Sequence, residues 1–160
     1  MVIIYTDGST RIKNKKGENN IGGFGYVVYN ESGYIIDAYS EQVENTTNNR
    51  MELMALFKVI KKYGSDSIFG ANTVYTDSIY AMKCITEWAD VWSKNDWKTS
   101  KNTPVENQDL IKPMYELYWK DHFIIIKKCD GHSGIEGNEL ADKLATGAIT
   151  PEEVLNKYGN

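Results

Sequence analysis

Residues 2–9 read Val-Ile-Ile-Tyr-Thr-Asp-Gly-Ser. Val2 to Tyr5 is a short, apolar, β-branched run of the kind that forms a buried strand. It leads straight into Asp7-Gly8. A carboxylate is therefore expected at the end of a buried strand, where the chain must soon turn. Water withdraws from such a place, and a charge left there needs a partner, often a cation. Asp-Gly is also ordinary turn chemistry. The two readings separate on whether further carboxylates reach the same spot.

The order of the remaining elements sets the fold class. Ile21–Tyr29 and Tyr34–Val43 read as strands joined by the turn Asn30-Glu31-Ser32-Gly33, an antiparallel meander with strand 1. Leu53, Leu56, Phe57 and Ile60 recur at i, i+3, i+4, i+7, which is an amphipathic helix ending near Tyr63-Gly64. Thr46-Thr47-Asn48-Asn49 is its start signal. Thr73–Thr76 is a brief strand, and Asp77-Ser78 opens a second helix. Strand, helix, strand in this order implies a crossover and parallel pairing with strand 1. A further helix is expected over Asn107–Trp119, capped by Asn107 and disturbed by Pro113. Phe123–Lys127 is another strand. Glu139–Ala148 is a helix with Asn138 as its cap. Thr150-Pro151-Glu152-Glu153 starts a short terminal helix at about 151–158.

Gly22, Gly23 and Gly25 form no G-x-G-x-x-G fingerprint, and no phosphate-loop motif exists. They are expected to permit a bulge or the close approach of another backbone. With 160 residues the chain fits one domain, 1–160, able to bury roughly 70% of its unfolded surface. Cys84 and Cys129 lack metal spacing; they suggest a reducing compartment, although two cysteines can also pair. No signal peptide and no membrane-length apolar run is visible, which favours the cytoplasm. A net charge of -4 is not the basic footprint of a nucleic-acid binder. It is a weak veto, because phosphate affinity depends on where the lysines sit and on bound cations.

Three more acids share the odd placement of Asp7. Glu52 lies in the first turn of the first helix, three residues after Asn49, where a capping box is the alternative role. Asp77 ends one strand and starts a helix, where a plain N-cap is the alternative. Asp142 is near the start of its helix, where it can simply oppose the helix dipole. Taken together they say more. Asp7 and Asp77 sit at the carboxyl ends of strands expected to be parallel neighbours, where open α/β sheets place ligands. Four converging carboxylates repel one another unless divalent cations are bound. Oxygen-only ligation suits Mg²⁺ or Mn²⁺, and zinc has little support. His132, in the loop Gly131-His132-Ser133-Gly134, has an ordinary pKa of about 6.5 that suits proton transfer; a local hydrogen-bonding role is the alternative.

These residues resemble the signature blocks of ribonuclease H, type 1, in a stand-alone bacterial- or phage-like form. The blocks are Tyr5-Thr6-Asp7-Gly8-Ser9, Thr46-Thr47-Asn48-Asn49-Arg50-Met51-Glu52-Leu53, Tyr75-Thr76-Asp77-Ser78, and Gly131-His132-Ser133-Gly134 with Asn138-Glu139-Leu140-Ala141-Asp142. They occur in the family's order over roughly residues 2–148. The resemblance implies a mixed five-stranded sheet, strands 1–3 antiparallel and strands 4–5 parallel to strand 1, with helices on both faces. It implies hydrolysis of the RNA strand of RNA–DNA hybrids by two metal ions, leaving 5′-phosphate and 3′-hydroxyl ends. Asp7, Glu52, Asp77 and Asp142 match the metal-binding carboxylates, with Mg²⁺ expected and Mn²⁺ possible. His132 matches the histidine that assists proton transfer. Thr47, Asn48 and Asn49 match hybrid-contacting positions, and Gly8, Ser9 and Asn138 are expected along the substrate path. A handle-like substrate-binding insertion is expected at about 88–104, carrying Trp92, Lys94, Trp97 and Lys98. The handle is less basic than the family's, with acids at Glu87, Asp90 and Asp96, and the loop at 11–20 also departs from the family. The chain is expected to act as a monomer. The alternative is an inactive hybrid-binding module, which predicts that a carboxylate or His132 is replaced; none is.

Overall fold

The structure is a computed structural model that describes residues 1–11, 20–64, 70–121, 123–131 and 134–159. In chain order it gives β1 (Ile3–Arg11), β2 (Ile21–Tyr29), β3 (Ile35–Glu44), α1 (Asn48–Tyr63), β4 (Asn72–Thr76), α2 (Ile79–Lys83), α3 (Ala89–Ser93), α4 (Gln108–Asp121), β5 (Ile124–Lys128), α5 (Glu136–Thr146) and α6 (Pro151–Tyr158). One sheet runs β3-β2-β1-β4-β5. β1 is antiparallel to β2 and parallel to β4, and β4 is parallel to β5. This is the mixed sheet that the sequence implies.

Alternation along the strands feeds two cores. Ile4, Tyr26, Val28, Val74 and Ile124 join Leu53, Leu56, Val59, Ile60, Ile85, Ile111 and Met114 under α1, α2 and α4. Val27, Ile35 and Ala38 join Leu140, Leu144 and Val154 under α5 and α6. Burying each such aliphatic side chain stabilises the fold by about 1.5–3 kcal/mol, so the period-3.6 stripe of α1 suffices to dock it on the sheet.

Close packing at two glycines aims the helices. A Cβ on Gly8 would collide with the backbone of Met51 and Glu52, so α1 lies directly on β1. A Cβ on Gly23 would collide with the Ala145 carbonyl, so α5 lies on β2. The close approach expected at the Gly22–Gly23 pair is therefore present. The one register irregularity of β2 falls elsewhere, at Val28/Tyr29.

Several expected boundaries are corrected. β1 does not stop near Tyr5. Its parallel pairing with β4 ends at Tyr5↔Tyr75, but antiparallel pairing with β2 continues to Arg11↔Ile21. Asp7 thus stands inside a strand, just past the point where one neighbour has left. Most of the expected loop at 11–20 lies outside the described residues. The helix that the sequence opens at Asp77-Ser78 runs on past α2. It continues through a π-helical turn, Cys84–Trp88, into α3, so the handle-like segment begins within helix and leaves it only after Ser93. Asn107 is no side-chain cap for α4. It adopts a left-handed φ of 62° and spends its amide on Arg50 and Tyr80. Pro113 sits inside α4, which continues past it. α5 starts at Glu136 with Ile135 as N-cap, so Asn138 is a buried residue of the first turn and not a cap. The terminal helix carries a full capping box between Thr150 and Glu153. Cys84 and Cys129 are both free and buried.

Candidate active site

Three carboxylates converge where β1 outlasts β4. Asp7, Glu52 and Asp77 each offer an oxygen, and these oxygens all lie within 4.8 Å of one another. Local capping chemistry explains why the acids are available. Thr47, not Asn49, caps α1, accepting from Arg50 N at 3.1 Å. Glu52 is therefore two residues past the capping-box position, which Arg50 holds. Ser78, not Asp77, caps α2, accepting from Ala81 N at 3.0 Å. Neither acid is used by its own helix start, and both point at Asp7.

The charges are held at a cost. Asp7 and Glu52 are buried, with 6% and 8% exposure. Gly8 N–H donates to Asp7 Oδ1 at 2.8 Å and to Glu52 Oε1 at 3.2 Å. Among the described residues, Glu52 Oε2 is buried without a hydrogen-bond partner. Burial raises the pKa of both groups, and for Glu52 the neighbouring charges of Asp7 and Asp77 raise it further. A single backbone donor cannot offset two buried anions, so the metal-free site retains a proton between them. Asp142 is half-buried on α5, near enough to Asp7 to help raise that carboxyl's pKa. It stands beside the trio and outside the 4.8 Å set.

Several of the other expected residues lie on the strand and helices that carry the acids. Ser9 is on β1, half-buried. Thr47, Asn48 and Asn49 are exposed at the start of α1, and Asn48 Oδ1 accepts from Thr10 N at 2.7 Å and Thr10 Oγ1 at 2.8 Å. That pair of bonds fixes the Asn48 amide on β1. Asn138 Oδ1 accepts from Cys129 Sγ at 3.5 Å. Burial and the charges of Asp77 and Asp7 push the Cys129 thiol up to about 11, so it stays protonated and is no nucleophile. His132 lies outside the described residues. Gly131, its neighbour in sequence, passes so close to Asp77 that a Cβ there would fall 3.0 Å from Oδ2.

In the handle, Trp92 and Trp97 are half-buried, and Trp97 meets Tyr115 edge-on at 6.0 Å. Lys94 is paired to Asp90 at 3.1 Å and Lys98 to Asp96 at 3.8 Å. The acids that dilute the handle's charge therefore also engage its lysines. Sequence reasoning missed Arg50, Asn107, Tyr80 and Asp109, which form one hydrogen-bonded cluster at the handle's base. Their partners are up to 59 residues away in sequence, so no local pattern announces them. A cavity of about 590 Å³ lined by Ile3, Tyr5, Tyr29 and Ile135 contains none of the four carboxylates, and its acids Glu31 and Glu136 are held by the Met1 amine and Tyr29.

Fold and site together define an α/β protein with an acidic, cation-seeking centre at the carboxyl end of two parallel strands. The chain belongs to the ribonuclease H family, whose model, RNase H, matches residues 1–150. The ribonuclease H of Francisella tularensis subsp. novicida (strain U112) is 41% identical over 157 residues, covering 98% of this chain and 94% of that protein. The solution structure of the RNase H domain of PFV superposes with a TM-score of 0.79 at 28% identity, covering 91% of this chain and 92% of that one. The foamy viral protease-reverse transcriptase, solved in complex with RNA/DNA hybrid, superposes with a TM-score of 0.80 at 25% identity over 91% of this chain and 19% of that one. Family membership implies a nuclease that uses divalent metal. The donor set fits such an ion: it is all oxygen, with Asp7 and Glu52 buried and Asp77 half-buried, and among the described residues one of its carboxylate oxygens has no hydrogen-bond partner.

Proposed function

We propose that this chain is an endonuclease that hydrolyses the RNA strand of RNA–DNA hybrids, with two Mg²⁺ ions held by Asp7, Glu52, Asp77 and Asp142. Mn²⁺ is the expected substitute. The observation that carries the reading is the convergence of Asp7, Glu52 and Asp77, with the buried Glu52 Oε2 left unpartnered, in a member of the ribonuclease H family. When bound, a pair of divalent ions activates the attacking water and neutralises the leaving oxygen of a phosphodiester. The protein's own part is positional. Gly8 N–H holds Asp7 and Glu52 at fixed spacing. β1 and β4 present Asp7 and Asp77 from one sheet edge, and α5 brings Asp142 against Asp7. His132 is proposed to carry the proton to the departing oxygen, leaving a 3′-hydroxyl on one product and a 5′-phosphate on the other.

Selectivity needs both strands read. Asn48 and Asn49 present amides that donate and accept, suited to 2′-hydroxyls and base edges across a shallow minor groove. Thr47, Ser9, Gly8 and Asn138 are proposed to line the same substrate path. Trp92, Trp97, Lys94 and Lys98 are proposed to meet the DNA strand. Among the described residues no helix is long and apolar enough to cross a membrane. The two free cysteines suit a reducing compartment, and we place the protein in the cytoplasm as a monomer.

The test is cleavage of a hybrid labelled on either strand, with duplex DNA and duplex RNA as controls. The expected result is Mg²⁺-dependent cutting of the RNA strand of the hybrid alone, abolished by chelator. Cutting of all three duplexes alike, or cutting in excess chelator, would overturn the proposal.

A further inference from the structure

The cluster at the handle's base does more than tie two helices. Arg50 Nη1 donates to Asp109 Oδ1 at 3.0 Å and to Asn107 Oδ1 at 3.2 Å, and Nη2 donates to Asp109 Oδ2 at 2.8 Å. Asn107 Nδ2 then donates to the Tyr80 hydroxyl at 3.0 Å. Three elements meet here. Arg50 is on α1, two residues before Glu52. Tyr80 is on α2, three residues after Asp77. Asn107 is where the handle segment returns to α4. The elements that deliver two of the carboxylates are thus bonded to the point from which the handle is hung.

Two observations weigh against a purely stabilising role. The Arg50 and Asp109 side chains are 32% and 63% exposed, and an ion pair this open adds at most about 1 kcal/mol. The geometry is meanwhile more specified than a stabilising pair requires, since a planar fork engages two acceptors from different directions. The backbone tells the same story. Asp96, Trp97, Asn102 and Asn107 all take left-handed φ between 54° and 62°. Such residues persist only where surrounding bonds over-determine them. At Asn107 those bonds come from Arg50 and Tyr80.

We infer that Arg50 is a positioning residue that sets the offset between the carboxylate centre and the handle, and thereby seats a hybrid long enough to touch both. The inference rests on the proposed hybrid cleavage. Lysine at this position keeps the charge but cannot reproduce the fork.

The experiment compares Arg50→Lys and Arg50→Met with wild type on two hybrids, one reaching from the carboxylates to the handle and one too short to reach the handle. Assays run well below each protein's melting temperature. On the long hybrid both variants should raise KM about tenfold with kcat nearly unchanged, as expected when handle binding shared by ground and transition states is lost. On the short hybrid both should match wild type. Tyr80→Phe, which removes only the last bond of the chain, should raise KM on the long hybrid by a smaller factor. It decides the matter if Arg50→Met does not fold. Equal losses on both hybrids, or a wild-type KM for Arg50→Lys on the long one, would overturn the inference. A wild-type protein that cuts neither hybrid would instead refute the proposed function.

Discussion

Replacing Glu52 by glutamine should make the metal-free protein more stable while abolishing cleavage. Glu52 is buried beside Asp7, and its pKa is raised first by burial and then by Asp7. The folded state therefore holds a proton that the unfolded chain releases near a pH of about 4.3. A group whose folded pKa is raised makes the fold bind more protons than the unfolded chain. Stability then falls as pH rises through that window, by about 1.4 kcal/mol per pH unit for one proton. From pH 5 to pH 7 the wild-type protein in chelator should lose roughly 3 kcal/mol, or about 5–10 °C of melting temperature for a chain of this size. Asp37, Asp90 and Asp109 have lowered pKa values, so their contributions change below this range and cannot mask the slope. Glu52→Gln should flatten the slope and sit above wild type at pH 7. Saturating Mg²⁺ should flatten the wild-type slope too, because the cation replaces the proton. Urea unfolding at pH 5, 6 and 7, with chelator and with Mg²⁺, measures all three. A wild-type stability that is flat or rising over this range in chelator would refute the reasoning.

Asp7→Asn should leave the fold intact and reduce hybrid cleavage by more than about a hundredfold, since even residues behind metal ligands are worth up to that factor; circular dichroism and turnover check it, and near-normal turnover with Mg²⁺ would contradict the site. His132→Ala should slow turnover with little change in hybrid affinity, and the opposite pattern would make the residue a binding one. Removing Lys94 and Lys98 together should weaken hybrid binding and reduce the slope of log K against log salt by about one unit per lysine; an unchanged slope would take the handle lysines off the phosphates. Gly8→Ala should destabilise the protein by about 1–3 kcal/mol in thermal melts, because its Cβ meets the Met51 and Glu52 backbone.

The acids were legible because each sits at an abrupt change of pattern. Asp7 follows a β-branched run, Glu52 opens an amphipathic stripe, and Asp77 divides a strand from a helix. The cap assignments were less legible. Asn138 and Asn107 are good capping residues by type, yet burial against Cys129 claims one and a distant arginine claims the other. Ile135 caps α5 with no side-chain bond at all, so no polar residue marks that start. The π-helical turn has no sequence signal either. It carries the helix opened at Ser78 into the segment expected as a handle. Long-range bonds of this kind are decided by tertiary packing, and local propensity carries no record of them.

The four carboxylates are separated along the chain in a way that bears on how the protein is made. Asp7, Glu52 and Asp77 belong to the first half of the sequence, but Asp142 arrives only with α5, and Val154 of α6 completes the core on which α5 rests. A chain emerging N-terminus first can pair β1 with β2 and dock α1 while the second core is still missing. Its acidic centre is then short of one wall until the last helices are synthesised. Until α5 has emerged, such a chain has no Asp142 to set beside Asp7. The wall that carries Asp142 is the one in which α5 packs over Gly23.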